Sequence, residues 1–226
     1  MNCDSYNMLY KRFLKRGPGQ MLDLAGFKKG DSFLDLCCGT GRASIEARSR
    51  GASKIIGVDE TGKKLSCEVD LWGVFNVTGS IKFYECTVSQ FFEDIKDSPD
   101  MKFDCIFCQQ AINYWLREDN HGRKPCAELI SKALTPTGKF IFNTFNKKPS
   151  EEIVVKEYKI DNVHYAEVSQ LVDGFVYHGQ FCDGFEPDHQ EFRWISPEEF
   201  MSLLKPYFKN ISVHEDGPTD IYVCHN

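Results

Sequence analysis

With 226 residues, 42% of them hydrophobic and 13% aromatic, the chain can build one sizeable core and is too apolar to be disordered. Its 27 basic and 33 acidic residues leave a net charge of −6, the opposite of the balance nucleic-acid binders usually show, so nucleic acid is a disfavoured partner. No stretch approaches the ~18 apolar residues of a membrane span, and the opening segment lacks the apolar core of a secretory signal. The expectation is a cytoplasmic protein with no membrane partner and its ten cysteines reduced.

In chain order, residues 5–25 set Tyr6, Leu9, Tyr10, Phe13 and Leu14 at helical spacing until "RGPGQ" interrupts it. This predicts a helix, a Gly-Pro-Gly break and a short second helix around 19–26, with residues 1–30 forming a helical lid. A strand at 32–36, a glycine turn and a helix near 41–50 follow, then the strand "KIIGVD" at 54–59 and a helix near 61–73. Next come a strand at 81–86, a helix around 88–95, the strand "FDCIFCQ" at 103–109 and a helix at about 122–134. The turn "TPTG" at 135–138 leads into the strand "KFIFNTF" at 139–145. Near-continuous apolar strands alternating with helices are the pattern of buried parallel strands covered on both faces. The fold class is therefore α/β, a doubly wound, Rossmann-like sheet.

After residue 146 the helices stop. "EIVVKEYKI", "VHYAEVSQLV", "FVYHGQFC" and "QEFRWI" alternate polar and apolar side chains between Asp-Asn, Asp-Gly and Pro-Asp turn signals, which predicts an antiparallel β insert over 149–195. "SPEEFMSLL" then opens a helix with Ser196 as its cap, Pro197 in its first turn and two glutamates at its positive end. Strands around 209–215 and 220–225 bring the main sheet to seven. Residues 31–148 and 196–226 make up the core unit, and the insert leaves it after the fifth strand.

Cys105 and Cys108 form a CxxC, but on a strand two residues three apart point to opposite faces, so they cannot share a metal or a disulfide without breaking the strand. We assign them to packing and expect no metal site. The segment "FLDLCCGTGRAS" at 33–44 carries more chemistry. A strand, a glycine turn and a helix place free backbone N–H groups and room for a ligand at the carboxyl end of a sheet, with Gly39 and Gly41 making the room. Asp59, at the end of the next strand, is placed to accept both hydroxyls of a ribose. The third glycine of the GxGxxG dinucleotide pattern is missing, since Ser44 stands there, and the GxxxxGK[ST] phosphate loop does not occur.

"FLDLCCGTGRAS" resembles motif I of the class I S-adenosylmethionine-dependent methyltransferases, usually written [DE]-x-G-x-G-x-G. "LDLCCGTG" is similar in wording to the quinone-biosynthesis C-methyltransferases, "GKFIFNTFN" to the family's fifth-strand segment, and "RWISPEEFMSLL" to the end of many members acting on small molecules. The resemblance implies a cofactor site for S-adenosylmethionine. It would place Asp35 near the methionine amino group, Gly39, Thr40 and Gly41 around the methionine and ribose, and Asp59 on the ribose hydroxyls. Glu60 and Thr61 would lie by the adenine edge, with Thr87 and Val88 after the third strand. Gln109 would sit beside the methionine, and Tyr6 would cover the cofactor. Cys37 departs from the motif at its first glycine, and Cys86-Thr87 replaces the usual acidic adenine contact.

The sulfonium of such a cofactor is already an activated electrophile, so a protein of this kind mainly aligns an acceptor lone pair behind the methyl and excludes water. A base is required only where the acceptor must lose a proton. The segment "CQQAINYWL" offers Gln110, Asn113 and Tyr114 to an acceptor, and Tyr10 could reach it from the lid. The insert adds Tyr165 and Arg193, with His164 and His178, on adjacent strands, as candidate catalytic groups. Arg193 faces two equal readings, an acceptor carboxylate or an acidic neighbour. The expectation is methyl transfer to a nitrogen or oxygen of a small-molecule acceptor, by a monomer or homodimer. The alternatives are an inactive, cofactor-binding regulatory subunit and a methyltransferase acting on protein or RNA.

Overall fold

A computed structural model describes residues 17–60, 81–115, 126–160, 163–182 and 188–226. Helix α1 (Pro18–Ala25) starts with proline in its first turn and ends where Gly26 takes a left-handed conformation at φ 66°. Strand β1 (Ser32–Leu36) leads to α2 (Arg42–Ser49) and β2 (Lys54–Asp59). Strand β3 (Ile81–Glu85) is followed by α3 (Val88–Ile95), β4 (Phe103–Cys108), the short α4 (Ile112–Trp115), α5 (Cys126–Ala133) and the long β5 (Leu134–Phe145). Four strands come next: β6 (Val154–Ile160), β7 (Val163–Val172), β8 (Phe175–Cys182) and β9 (Asp188–Arg193). Helix α6 (Pro197–Leu204) and strands β10 (Asn210–Asp216) and β11 (Thr219–His225) close the chain.

The main sheet runs β10-β11-β5-β4-β1-β2-β3. Strands β1 to β5 pair in parallel, while β11 is antiparallel to both β5 and β10. The chain leaves β1 toward β2 and β3 on one side and returns to β4 and β5 on the other, so the order reverses between β1 and β4. Such a reversal opens a crevice at the carboxyl ends of the two strands.

Strand alternation sends side chains into two separate cores. Leu34, Leu36, Ile56, Ile106 and Phe142 face one layer, where Phe91 and Phe92 of α3, Ile130 of α5 and Phe200 of α6 cover them. Phe33, Ile55, Cys105, Phe107 and Ile141 face the other, covered by Met21 and Leu22 of α1 and by Ala43 and Ala47 of α2. Each such phenylalanine, fully buried, contributes roughly 1.5–3 kcal/mol. Cys105 and Cys108 therefore lie in opposite cores, as their spacing on a strand requires.

Helix α1 belongs to this second core, with Met21, Leu22 and Ala25 buried. Within the expected 1–30 segment, residues 18–25 thus pack on the sheet, while the first predicted helix lies outside the described residues. The Ser196 cap follows its sequence signal, and Thr87 proves to be a second one. Thr87 Oγ1 accepts the Gln90 N–H of α3 at 3.2 Å, and Ser196 Oγ accepts the Glu199 N–H of α6 at 3.2 Å.

The predicted turn at 135–138 proves to be a bulge within β5. Phe103 pairs with Leu134 and Cys105 with Lys139, so β5 advances five residues while β4 advances two. Gly138 sits so close that a Cβ there would lie 2.6 Å from the Phe103 carbonyl oxygen. The carboxylate of Asp104 fixes the bulge. Its Oδ1 accepts Thr135 Oγ1 at 2.9 Å, and its Oδ2 accepts the Ser32 N–H at 2.9 Å and Ser32 Oγ at 2.7 Å.

Strands β6 to β9 form a separate antiparallel sheet in sequence order, inserted between β5 and α6. One face buries Leu171, Val176 and Phe192, and Phe192 stacks on Phe145 at the end of β5 with ring centroids 5.9 Å apart. Strand β9 also packs against α4. The other face leaves Val155, Tyr177 and Phe181 exposed.

Replacing Asp104 by alanine strips the acceptor from two hydroxyls and one backbone N–H. Chemical denaturation is expected to show a loss of about 1–3 kcal/mol, with β5 moving out of register.

Candidate active site

The turn from β1 to α2 is unusual in its backbone. Cys37, Gly39 and Gly41 have φ of 52°, 54° and 82°, so three of five consecutive residues are left-handed. For glycine this is free, whereas Cys37 is held there at a cost of about 1–2 kcal/mol. Hydrogen bonds define the shape of the turn. The Cys38 N–H donates to the Val58 carbonyl at 3.0 Å, the Gly39 N–H to Asp59 Oδ2 at 2.8 Å, and the Gly41 N–H to the Cys38 carbonyl at 2.8 Å. Asp59, at the end of β2, therefore reaches across to the tip of the turn. Gly57 in β2 leaves the space that Phe83 and Cys38 occupy, since a Cβ there would lie 2.5 Å from the Phe83 ring and 3.0 Å from Cys38 Sγ.

Asp35 is 2% exposed. Its Oδ2 accepts both the N–H and the Oγ of Ser44, at 3.0 and 2.7 Å, and so ties β1 to the first turns of α2. Burial pushes its pKa from 3.8 up to about 7, against the lowering effect of the Ser44 bonds; Asp59 adds to the rise and Arg42 opposes it.

A cleft opens at this point. Asp35, Cys37, Cys38, Gly39 and Thr40 line it from β1 and its turn, Arg42 and Ala43 from the start of α2, and Phe107 and Gln109 from the end of β4. It thus occupies the crevice that the strand order creates. Asp59 borders it through Gly39, and Glu60 follows, exposed.

The thiols in the turn are inert. A hydrogen bond with Cys108, then burial, hold Cys37 well above the usual thiol range, and burial does the same to Cys38. Neither supplies a thiolate nucleophile at neutral pH. Among the described residues there is no cluster of His, Cys, Asp and Glu able to hold a metal.

Of the residues singled out in the sequence, Asp35, Gly39, Thr40 and Gln109 meet in the cleft, with Gly41 at the start of α2. Arg42, Ala43 and Phe107 were not foreseen, although a signal existed. Arg42 is the first helical residue after the turn, and Phe107 pairs with Asp35, so their side chains share a face. Thr87 is spent on capping α3, and the Val88 side chain is buried in the core, not turned to a ligand. Gln110 takes a left-handed φ of 56°, with its N–H donated to Asn143 Oδ1 at 2.7 Å. Asn113 is buried and accepts Thr144 Oγ1 at 3.3 Å. Tyr6, Tyr10, Thr61 and the side chain of Tyr114 lie outside the described residues.

The register of the insert separates the two histidines. His178 lies opposite Ser169, on the face that carries Leu171, Val176 and the buried Tyr165; His164, one residue from Tyr165, is on the other face and exposed. The two rings therefore cannot act on one acceptor. Arg193 has an acidic neighbour, with Nη2 2.8 Å from Glu199 Oε1.

A doubly wound sheet with a glycine turn and a bordering acidic residue defines the class of α/β proteins that bind a nucleotide-like cofactor at the switch point. Residues 27–204 match the methyltransferase domain family, and the chain belongs to that family. An uncharacterized protein of Haemophilus influenzae is 35% identical over 95 residues, which are 42% of this chain and 36% of that protein, so the match spans about a third of the relative's length. In solved structures the fold is similar to an S-adenosylmethionine-dependent methyltransferase from Clostridium acetobutylicum, with TM-score 0.73, 19% identity and 99% of both chains covered. It is also similar to the glycopeptide N-methyltransferase MtfA complexed with S-adenosyl-L-homocysteine, with TM-score 0.57, 12% identity, and 92% and 86% of the two chains covered.

Asp35 gives the site a pH signature. Because its folded pKa is raised, the fold favours the protonated form, and that contribution is complete below about 3.8 and is lost as pH rises to about 7. Urea titrations of wild type and Asp35→Asn should diverge across this window, wild type losing up to ~1.4 kcal/mol per pH unit relative to the variant, with no further divergence above it.

Proposed function

We propose that the protein transfers a methyl group from S-adenosylmethionine to a nitrogen or oxygen nucleophile on a small-molecule acceptor. The observation that carries this reading is the cleft between β1 and β4, with its charges arranged around a backbone turn. Two carboxylates, Asp35 and Asp59, and one guanidinium, Arg42, lie in or beside it. That set suits a cationic amino acid linked to a nucleoside: Asp35 for the ammonium, Arg42 for the carboxylate and Asp59 for the ribose. The third glycine of a dinucleotide site is missing, with Ser44 in its place bonded to Asp35. The left-handed glycines let such a ligand approach the backbone, and Gln109 marks the side on which an acceptor would enter.

When bound, this cofactor supplies an activated methyl on a sulfonium. The protein's own part is then to orient and to exclude water. The insert sheet, docked through β9 on α4 and through Phe192 on Phe145, stands as the cover of the acceptor side, with Tyr165 and His178 on its inner face. His178 is the candidate for receiving a proton from the acceptor. The likeness to a glycopeptide N-methyltransferase supports a nitrogen acceptor, and the net charge of −6 weighs against RNA.

Isothermal titration with S-adenosylmethionine and with S-adenosylhomocysteine tests the cofactor reading. Wild type should bind both, and Asp59→Ala should weaken binding at least tenfold, the equivalent of losing one hydrogen bond to a charged group. Absence of saturable binding by wild type would end this reading. Binding without turnover on any pool of amines, alcohols or phenols would favour an inactive regulatory subunit instead.

A further inference from the structure

The carboxyl end of β5 contains a polar pair where a buried strand would ordinarily continue apolar. Phe140, Ile141 and Phe142 are each 0% exposed, and Asn143 and Thr144 follow at 4% and 3%. Buried amides and hydroxyls persist where they satisfy partners. Both partners here lie on the segment that leaves β4. Asn143 Oδ1 accepts the Gln110 N–H at 2.7 Å, and Thr144 Oγ1 donates to Asn113 Oδ1 at 3.3 Å.

The register shows why that segment needs holding. Cys108 pairs with Phe142, so the next residue of each strand, Gln109 and Asn143, lie side by side just past the last pair. Gln109 lines the cleft, and the chain turns sharply immediately after it, with Gln110 in the left-handed region at φ 56°. A glutamine adopts that conformation only when its surroundings enforce it. The Asn143 amide oxygen is the group that does so, and Thr144 braces the same segment three residues on. That segment continues into α4, against which β9 of the insert rests.

We infer that Asn143 is a positioning residue for methyl transfer: by accepting the Gln110 N–H it enforces the left-handed turn that presents Gln109 to the cofactor cleft. The inference rests on the cofactor reading given above. The competing account is that Asn143 only satisfies buried polar groups, in which case its loss would lower stability and leave ligand affinity alone.

A double-mutant cycle on the full chain separates the two, with the affinity for S-adenosylhomocysteine read by titration and the melting temperature recorded in parallel. Asn143→Ala and Gln109→Ala are each expected to weaken binding about fivefold or more, and the double variant no further than the weaker single one, because the two act through one side chain. Asn143→Asp, which keeps the acceptor oxygen, should stay within about twofold of wild type. Gln110→Gly takes the left-handed turn without an anchor, so it should restore binding to Asn143→Ala. Full additivity in the cycle, or an Asn143→Ala variant that melts lower and binds as tightly as wild type, overturns the inference. If Asn143→Ala fails to fold, the Gln110→Gly/Asn143→Ala protein decides, and impaired affinity there overturns it as well. Wild type that binds no cofactor at all refutes the cofactor reading itself, a result distinct from any of these.

Discussion

The hydrogen bond from the Gly39 N–H to Asp59 Oδ2 ties the tip of the β1–α2 turn to the end of the neighbouring strand, and the geometry of the cleft depends on it. A turn with left-handed residues at 37, 39 and 41 has no regular ladder to hold it. Its N–H groups must find acceptors individually, or remain exposed to solvent or ligand. Asp59 secures the tip, the Val58 carbonyl secures Cys38, and Ser44 anchors the far side on Asp35. The result is a loop held at several points along the switch point of the sheet. Gly57 is a silent part of the same arrangement, because any side chain there would displace Cys38 or Phe83 and move the turn.

The double cysteine fits that constraint. The resemblance to the methyltransferase motif puts a glycine at position 37, and the positive φ there shows why. Cysteine is tolerated because its side chain is small and finds a place against the core, in contact with Cys108 at the end of β4. It thereby links the two strands that flank the cleft. Cys38 fills the space above Gly57. Both thiols are structural: the Cys108 contact and then burial hold Cys37 protonated, and burial holds Cys38 so.

Much of the architecture was legible in the chain because its signals are local. Near-continuous apolar strands alternating with helices announced the doubly wound sheet, the capping residue Ser196 marked a helix start, and the loss of helical spacing after 146 announced the insert. What escaped depended on register or on partners distant in sequence. "TPTG" carries every mark of a turn, yet Asp104 and Ser32, from two other strands, hold it as a bulge. His164 and His178 lie on adjacent strands, but only the pairing of Ser169 with His178 reveals that they face opposite ways. Arg193 carried two equal readings in the sequence, and the fold sets Glu199 beside it. In the cleft, the glycines and Asp35 were visible as a motif, whereas Phe107 enters solely through its parallel pairing with Asp35.

The polar residues of the buried sheet fall into two groups, and the contrast between them locates function. At the amino ends, Ser32, Asp104 and Thr135 bond to one another and close a bulge, so their polarity is consumed within the fold. At the carboxyl ends, Asp35, Asp59, Asn143 and Thr144 bond outward, to Ser44, Gly39, Gln110 and Asn113, residues in or next to the loops that border the cleft. Burying Asp35, Asn143 and Thr144 is costly unless each makes good bonds, and a sheet that needed only stability would place aliphatic side chains there. Their position argues that they shape loops: every one of them holds a segment whose neighbour faces the space between β1 and β4. The same end of the sheet receives the insert, through Phe145 on Phe192 and α4 on β9, so the insert docks on the polar frame that borders the cleft.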